Sequence, residues 1–285
     1  MRLTQVDDAI SKYSYVMDQL AWIDSRTLVY LAGSVFEGFG NASSDIDVFV
    51  ITDTMPKIDS LLSQTEGLDP IVLSVNQFIV HNFVHDSVRF DFTYLTNEFF
   101  NSLLAKLEHF EVRSEEYPIS FNADELDLLH RLKYATFLTC PQEMVERLRM
   151  LPFRSLDLYI ALSESTNYTN IIEDIQGAYQ SGDYGTAFFR TRHLLDASMT
   201  AFLAVNGESN PRLKWLFRKL KRYVDCTGDF DLLNNYLVYQ NEAFDKNTVR
   251  DSIRRCLRYC QTLNDRTQHL IHKTIKELEK NEIRS

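Results

Sequence analysis

Cysteine and long apolar runs are both scarce in this chain of 285 residues. The four cysteines include no CxxC pair, and no second pair at zinc-binding spacing accompanies Cys256 and Cys260. We therefore expect reduced thiols in a cytoplasmic protein rather than a zinc site or a disulfide framework. No stretch of about 18 apolar residues is present, which predicts no membrane span. The N-terminus lacks the apolar core of a signal peptide.

Positive charge is also in short supply. The 30 Lys and Arg residues stand against 40 Asp and Glu residues, and the formal net charge is −10. Because proteins that coat nucleic acid depend on clustered Lys and Arg, a nucleic-acid partner is the less favoured expectation. The strong basic stretch is PRLKWLFRKLKRY, residues 211–223. With 45% hydrophobic residues the chain has enough apolar material for a core, and nothing indicates disorder or a fixed-period repeat.

Strand patterns dominate the first 100 or so residues. The segments TLVYLAG, DIDVFVI and DPIVLSV are short apolar runs typical of strands, and helical spacing occurs at residues 5–22 and in MPKIDSLLSQ. A hairpin that turns near residues 85–87 follows, with its clearest alternation from Val88 to Tyr94. These patterns predict a small mixed β-sheet with helices, an α+β unit.

Helical patterns replace strand patterns after Asn97. The stripe of apolar residues in 184–206 is typical of a bundle face. We expect a sheet domain over residues 1–115 and an α-helical bundle domain over residues 116–285. The predicted helices after the sheet cover residues 97–110, 123–138, 141–150, 154–162, 170–181, 184–206, 211–224, 229–243 and 247–281.

Two aspartates stand one residue apart at the start of the strand pattern DIDVFVI. Alternate side chains of a strand share a face, so Asp45 and Asp47 point the same way with their Cα atoms about 6–7 Å apart. Neighbouring carboxylates repel, and burying an unpaired one is costly, so something positive is expected between them. Carboxylate oxygens are hard ligands that favour Mg²⁺ or Mn²⁺.

Two further elements fit this hypothesis. Asp91 lies on a strand whose opposite face is aromatic, and if that strand lies beside DIDVFV the three aspartates converge on a pair of ions. Gly33 and Ser34 end a strand and turn directly into a helix, which exposes backbone N–H groups that bind phosphate oxygens. The Ser34 hydroxyl either caps this turn or contacts a phosphate.

The order of these elements resembles the nucleotidyltransferase superfamily of the DNA polymerase β type. The matching residues are Gly33, Ser34, Asp45, Asp47 and Asp91, within residues 25–100. The helical remainder is similar to the bundle of antibiotic nucleotidyltransferases of the kanamycin and lincosamide type. The resemblance implies Mg²⁺ or Mn²⁺ held by the three aspartates, and an NTP, with ATP as the expected one, bound at Gly33 and Ser34.

The implied reaction transfers a nucleoside monophosphate to an acceptor hydroxyl and releases pyrophosphate. Asp91 is the candidate general base, with an acid of the helical domain, Glu125 or Glu173, as the alternative. Lys214 is a candidate contact for the triphosphate, although an exposed lysine is the alternative there. The acceptor is expected in a cleft between the two domains, and the acidic chain favours a cationic small molecule of the aminoglycoside kind. Homodimerisation stays open.

Other interpretations of the same residues remain. SDIDVFV is also compatible with a simple turn before a strand, with an Asp-x-Asp phosphatase, or with an inactive member of the superfamily. Within the superfamily, the alternatives are a transferase that modifies tRNA or protein in a toxin or defence system and a synthase of nucleotide second messengers. A non-catalytic, antitoxin-like binding module is the alternative outside enzymes.

Overall fold

The computed structural model of the protein describes residues 13–65, 67–75, 77–110 and 120–282. The described residues form two compact units. Among the described residues, the first unit comprises those up to Phe110 and those from 120 to Pro152. The second unit comprises the described residues from Phe153 onward. The domain boundary predicted between residues 115 and 116 lies outside the described residues, as do residues 5–12 of the helix predicted at residues 5–22, whose described part is helical at Tyr13–Gln19.

A six-stranded mixed sheet organises the first unit. Its spatial order is β3-β4-β5-β2-β1-β6. β2 and β5 run parallel, and the other neighbours are antiparallel. The α+β class predicted from the sequence is therefore confirmed. The strands are β1 (Leu28–Ala32), β2 (Ile46–Thr52), β3 (Ile71–Val75), β4 (Phe78–His85), β5 (Val88–Thr96) and β6 (Thr136–Thr139).

One face of this sheet is an apolar core covered by three short helices. Val48 of β2 and Phe92 of β5 lie in the same buried cluster as Val16, Phe36 and Leu61 of these helices. Because side chains alternate along a strand, the opposite face of β2 and β5 is left for Asp47 and Asp91. The three helices are α1 (Tyr13–Gln19), α2 (Ser34–Glu37) and α3 (Ile58–Gln64).

The remaining helices of the first unit are α4 (Asn97–Glu108), α5 (Ala123–Lys133) and α6 (Gln142–Arg149). The helix predicted over residues 123–138 is wrong in its last part, because α5 ends at Lys133 and the chain then forms β6. Strand β6 pairs with the otherwise open side of β1. The Thr139 hydroxyl also donates to the Thr27 carbonyl at 2.9 Å. Pairing with a distant strand thus overrides the local helical pattern.

The second unit is entirely helical in its described part. The sequence predicted a break at residues 163–170, but α7 runs unbroken for 28 residues. Its polar side chains fit a helix because the hydroxyls of Ser165 and Thr166 donate to carbonyls four residues earlier. The helices are α7 (Phe153–Gln180), α8 (Tyr184–Val205), α9 (Leu216–Thr227), α10 (Phe230–Gln240) and α11 (Val249–Glu282), with a 3₁₀ turn at Leu213–Trp215.

α8 forms the centre of this bundle. Its apolar residues share one buried cluster with residues of α7, α9, α10 and α11, as the 184–206 stripe predicts. Among the described residues, no helix combines the length and the apolar character needed to cross a membrane.

Candidate active site

Three aspartates meet on the face of the sheet opposite the apolar core. Asp47 and Asp91 are direct partners in the parallel register of β2 and β5, so their side chains point to the same face. Asp45 lies two residues before Asp47. Arg89 bridges the group, with its Nε 3.1 Å from Asp91 Oδ1 and 3.8 Å from Asp45 Oδ2. The predicted convergence of the two strands is therefore present in the structure.

Gly33 lies directly against Asp47. β1 and β2 pair so that Ala32 is opposite Asp47, and Gly33 follows at once with φ +88°. A Cβ at position 33 would stand 1.9 Å from Asp47 Oδ2. Only glycine tolerates both this backbone conformation and this close approach. The Gly33–Ser34 turn and the Asp47 carboxylate therefore pack directly against each other.

The loop between Ser34 and Asp45 is held by its own polar side chains. The Ser34 hydroxyl donates to Ser44 Oγ at 3.4 Å. Ser44 Oγ in turn accepts from the backbone N–H of Asn41 at 2.8 Å, and Asn41 Oδ1 accepts from the N–H of Ser43 at 2.9 Å. These bonds explain the small polar residues of GNASSD, because they fold the loop back so that Asp45 enters β2 near Ser34.

An arginine from a distant helix pairs with the central carboxylate. Arg131 of α5 places Nη1 2.8 Å from Asp47 Oδ1 and donates from Nε to Asp127 Oδ2 at 2.8 Å. Its guanidinium carbon also lies 5.6 Å from the centre of the Phe49 ring, a cation–π contact. Sequence reasoning missed both Asp127 and Arg131. Their spacing of four residues on a helix was the available signal, but that spacing is common on helices.

A buried histidine–glutamate pair anchors the same helix next to the glycine turn. His130 Nε2 lies 3.1 Å from Glu37 Oε1, and the two side chains are 2% and 4% exposed. Glu37 closes α2, the helix that begins at Ser34. α5 is therefore attached both to the turn, through His130, and to β2, through Arg131. Neither Glu37 nor His130 was selected from the sequence.

The electrostatics of the aspartates show a shortage of positive charge. Burial raises the pKa of Asp47 to about 6 against the lowering effect of Arg131, and the carboxylates of Asp91 and Asp45 raise it further. Burial also raises the pKa of Asp91, against Arg89 and with a contribution from Asp45. Additional positive charge on this face would favour the ionised form of both groups.

The donor set was tested for a fit to a divalent cation. In the described ranges, no group of three or more His, Cys, Asp and Glu side chains is arranged to hold a metal ion. Arg89 and Arg131 contact the aspartate oxygens instead. The chemical type of the three aspartates nevertheless fits a divalent cation, since three carboxylates on one face are the hard oxygen ligands that Mg²⁺ and Mn²⁺ prefer.

Of the other sequence-predicted residues, Lys214 and Glu173 belong to the second unit, and Glu125 has structural partners. Lys214 is exposed on the 3₁₀ turn of the second unit, with its Nζ 5.1 Å from the centre of the Trp215 ring. Glu125 caps α5 through the N–H of Asn122 and pairs with Lys106 at 2.7 Å. Glu173 is exposed on α7.

Comparisons with known proteins find similarity among solved structures. No protein-family model matches the chain, and no curated protein matches it. Among solved structures the chain is similar to the crystal structure of a nucleotidyltransferase-like protein from Exiguobacterium sibiricum 255-15. The identity is 13%, the match covers 96% of this chain and 80% of that chain, and the TM-score is 0.49. The function is therefore inferred from the site itself.

Proposed function

We propose that the protein is a nucleotidyltransferase that moves a nucleoside monophosphate from an NTP, with ATP expected, to a hydroxyl of a small-molecule acceptor. The observation that carries the proposal is the direct pairing of Asp47 with Asp91, with Asp45 two residues away. The Gly33–Ser34 turn, which packs against Asp47, adds backbone N–H groups and a hydroxyl of the kind that bind phosphate oxygens. A simple surface turn at SDIDVFV would not require the approach of Asp91.

Asp45, Asp47 and Asp91 are the residues that would hold Mg²⁺ or Mn²⁺. Such ions, when bound, neutralise the triphosphate and acidify the acceptor hydroxyl. The two arginine contacts would then have to change, because Arg89 and Arg131 now share the aspartate oxygens. Asp127 keeps a second contact for Arg131, so its guanidinium stays beside the site with a charge partner.

The chain's own residues account for the remaining steps. For the phosphates, Ser34 offers its hydroxyl and the turn offers its backbone N–H groups. In the proposed reaction Asp91 accepts the proton of the acceptor hydroxyl. The acceptor oxygen forms a bond to the α-phosphorus. The bond from that phosphorus to the oxygen bridging it to the β-phosphorus breaks, and pyrophosphate leaves with the electron pair.

The acceptor class is the finer part of the proposal. The formal net charge of −10 favours a cationic acceptor, such as an aminoglycoside, over a nucleic acid.

The test incubates the protein with Mg²⁺ and NTPs labelled at the α-phosphate, in the presence of aminoglycosides, tRNA or no acceptor. We expect labelled aminoglycoside and unlabelled pyrophosphate from the wild type. Asp59→Asn, a control at an exposed aspartate of α3, should give the same products. Asp47→Asn and Asp91→Asn should lose the product. Labelled tRNA, or products from NTP alone, would overturn the small-molecule acceptor. Activity that survives in Asp47→Asn would overturn the site.

A further inference from the structure

The helical unit contains a cavity that the proposed reaction does not use. Its volume is about 320 Å³, and residues of α7, α8, α9 and the segment before α9 line it. Ligand pockets in proteins begin at about 300 Å³, and this volume equals that of roughly ten liquid water molecules. A molecule of the size of a monosaccharide would therefore fill it.

Two carboxylates that line the cavity have oxygen atoms that accept no hydrogen bond from the described residues. Asp196 Oδ1 accepts from the Tyr236 hydroxyl at 2.9 Å and from Gln240 Nε2 at 2.5 Å, whereas Oδ2 accepts no hydrogen bond from the described residues. Glu164 accepts one long bond, from Asn167 Nδ2 at 3.4 Å. Burial raises the pKa of both acids, as expected for carboxylates that are short of donors.

The cations in the lining already have other partners. Arg190 donates to Asp174 Oδ2 and, at 3.1 Å, contacts His193 Nδ1. A guanidinium only donates, so His193 Nδ1 accepts and the ring carries its hydrogen on Nε2. Lys219 is 1% exposed and donates to the Asn210 carbonyl at 2.6 Å, although its charge still lowers the pKa of Glu164.

The rest of the lining is apolar except for Asn167 and Thr200. Ile171, Ala197 and Leu213 contribute hydrocarbon surface next to the two acids. An apolar wall with a few convergent polar groups is the usual composition of a small-molecule site. The spare atoms are mostly acceptors, with the Nε2–H of His193 as a donor at the rim. A complementary ligand therefore presents several donors, one of them charged, on a compact body.

We propose that this cavity binds a small molecule with a protonated amine and hydroxyl groups, such as an amino sugar or an amino alcohol. Glu164 and Asp196 accept from the amine, and His193 donates to a hydroxyl oxygen. The binding does not depend on nucleotidyl transfer, so either proposal can fail while the other stands.

The probes are glucosamine and ethanolamine, with glucose as the uncharged match to glucosamine. Isothermal titration calorimetry of the full chain should give saturable binding of at least one amine and none of glucose. Glu164→Gln should weaken that binding about tenfold or more, because it removes the partner of a largely desolvated charge. Glu173→Gln, at an exposed acid of the same helix, should leave it unchanged.

Thermal melting shows whether Glu164→Gln folds. If it does not, a second variant tests the same proposal. Asn167→Lys adds a cation at an exposed position of the rim and should abolish amine binding through like-charge repulsion. Absence of saturable amine binding to the wild type overturns the proposal. Equal binding of glucose and glucosamine, or binding that neither variant weakens, overturns it as well.

Discussion

Arg131 and Asp47, 84 positions apart in the chain, form an ion pair at 2.8 Å with both side chains at least three-quarters buried. The pair links α5 to the strand that carries the aspartates. It also supplies the one cationic contact of Asp47 found among the described residues, while Arg89 serves the other two acids. The charge balance of the candidate site therefore depends on a helix that lies outside the predicted motif.

Replacing Arg131 tests this dependence. Arg131→Met removes the partner of a mostly buried carboxylate, so we expect the free energy of unfolding to fall by about 2–3 kcal/mol. The matched control is Arg149→Met, because Arg149 and Glu146 form an exposed pair with side chains 68% and 70% exposed. That change should cost less than about 0.5 kcal/mol. Urea unfolding measures both values, and equal losses would contradict a special role for Arg131.

Gly33→Ala tests the close approach of the glycine turn to Asp47. The new Cβ would have to displace the Asp47 carboxylate, in addition to the strain of a positive φ. Gly67→Ala is the control, since Gly67 has φ +83° and nothing within 4 Å of an added Cβ. The control should lose about 1–2 kcal/mol of unfolding free energy from φ strain alone.

In Gly33→Ala the loss should be clearly larger, by about 1 kcal/mol or more, because a packed group must shift. Chemical denaturation of both variants gives the comparison. Similar losses of unfolding free energy in the two variants would show that the turn has room for a side chain. The close packing of Gly33 against Asp47 would then contribute nothing to stability.

His81 predicts a pH dependence of stability away from the site. Burial lowers the pKa of His81 to about 4, and its Nδ1 has no hydrogen-bond partner. The Thr65 hydroxyl donates to the Leu61 carbonyl at 2.9 Å, so it accepts from His81 Nε2. Because the pKa is lowered, the ring is neutral near pH 7 and Nδ1 carries no hydrogen. Protonation would place an unpaired N–H in the apolar core.

The folded pKa lies below the unfolded one, so the unfolded chain binds more protons between pH 6.5 and about 4. Stability is therefore unaffected by this group above pH 6.5 and falls as the pH drops through that window. We expect a contribution of about 2 kcal/mol between pH 7.5 and 4.5. Unfolding at both pH values should show a smaller difference in His81→Phe than in the wild type. His109→Gln, at an exposed histidine, should behave like the wild type.

The alternation of residues predicted much of the site, and long-range pairing decided the rest. The pattern in SVRFDFTYL puts Asp91 on the face opposite Phe90 and Phe92, and the structure agrees. The position of β5 next to β2 depends on contacts between distant segments. The sequence analysis could therefore only assume that the two strands are neighbours. The turn at residues 85–87 is confirmed, with positive φ at Asp86 and Ser87.

The contribution of α5 was beyond local patterns. Arg131 and His130 belong to an ordinary amphipathic helix, and their partners lie 84 and 93 positions earlier in the chain. No spacing rule connects them. The break predicted in α7 is wrong for a different, local reason, since hydroxyls that favour turns are satisfied there by carbonyls of the helix itself.

Divalent cations should stabilise the folded protein through the aspartates. An ion that binds only the folded chain stabilises it by RT ln(1 + L/Kd), where L is the free ion concentration, and so raises the melting temperature as L exceeds Kd. We expect Mn²⁺ with a non-hydrolysable ATP analogue to raise the melting temperature of the wild type and of Asp59→Asn. Asp45→Asn should show little or no shift, and an unchanged shift in that variant would assign the cation to another place.

The most direct measurement is a crystal of the protein soaked with Mn²⁺ and a non-hydrolysable ATP analogue, with anomalous diffraction used to locate the manganese. The account predicts manganese coordinated by carboxylate oxygens of Asp45, Asp47 and Asp91, with phosphate oxygens of the analogue next to Gly33 and Ser34. Manganese and nucleotide bound elsewhere, or a soaked site in which Arg89 and Arg131 still hold all three aspartates, would contradict it.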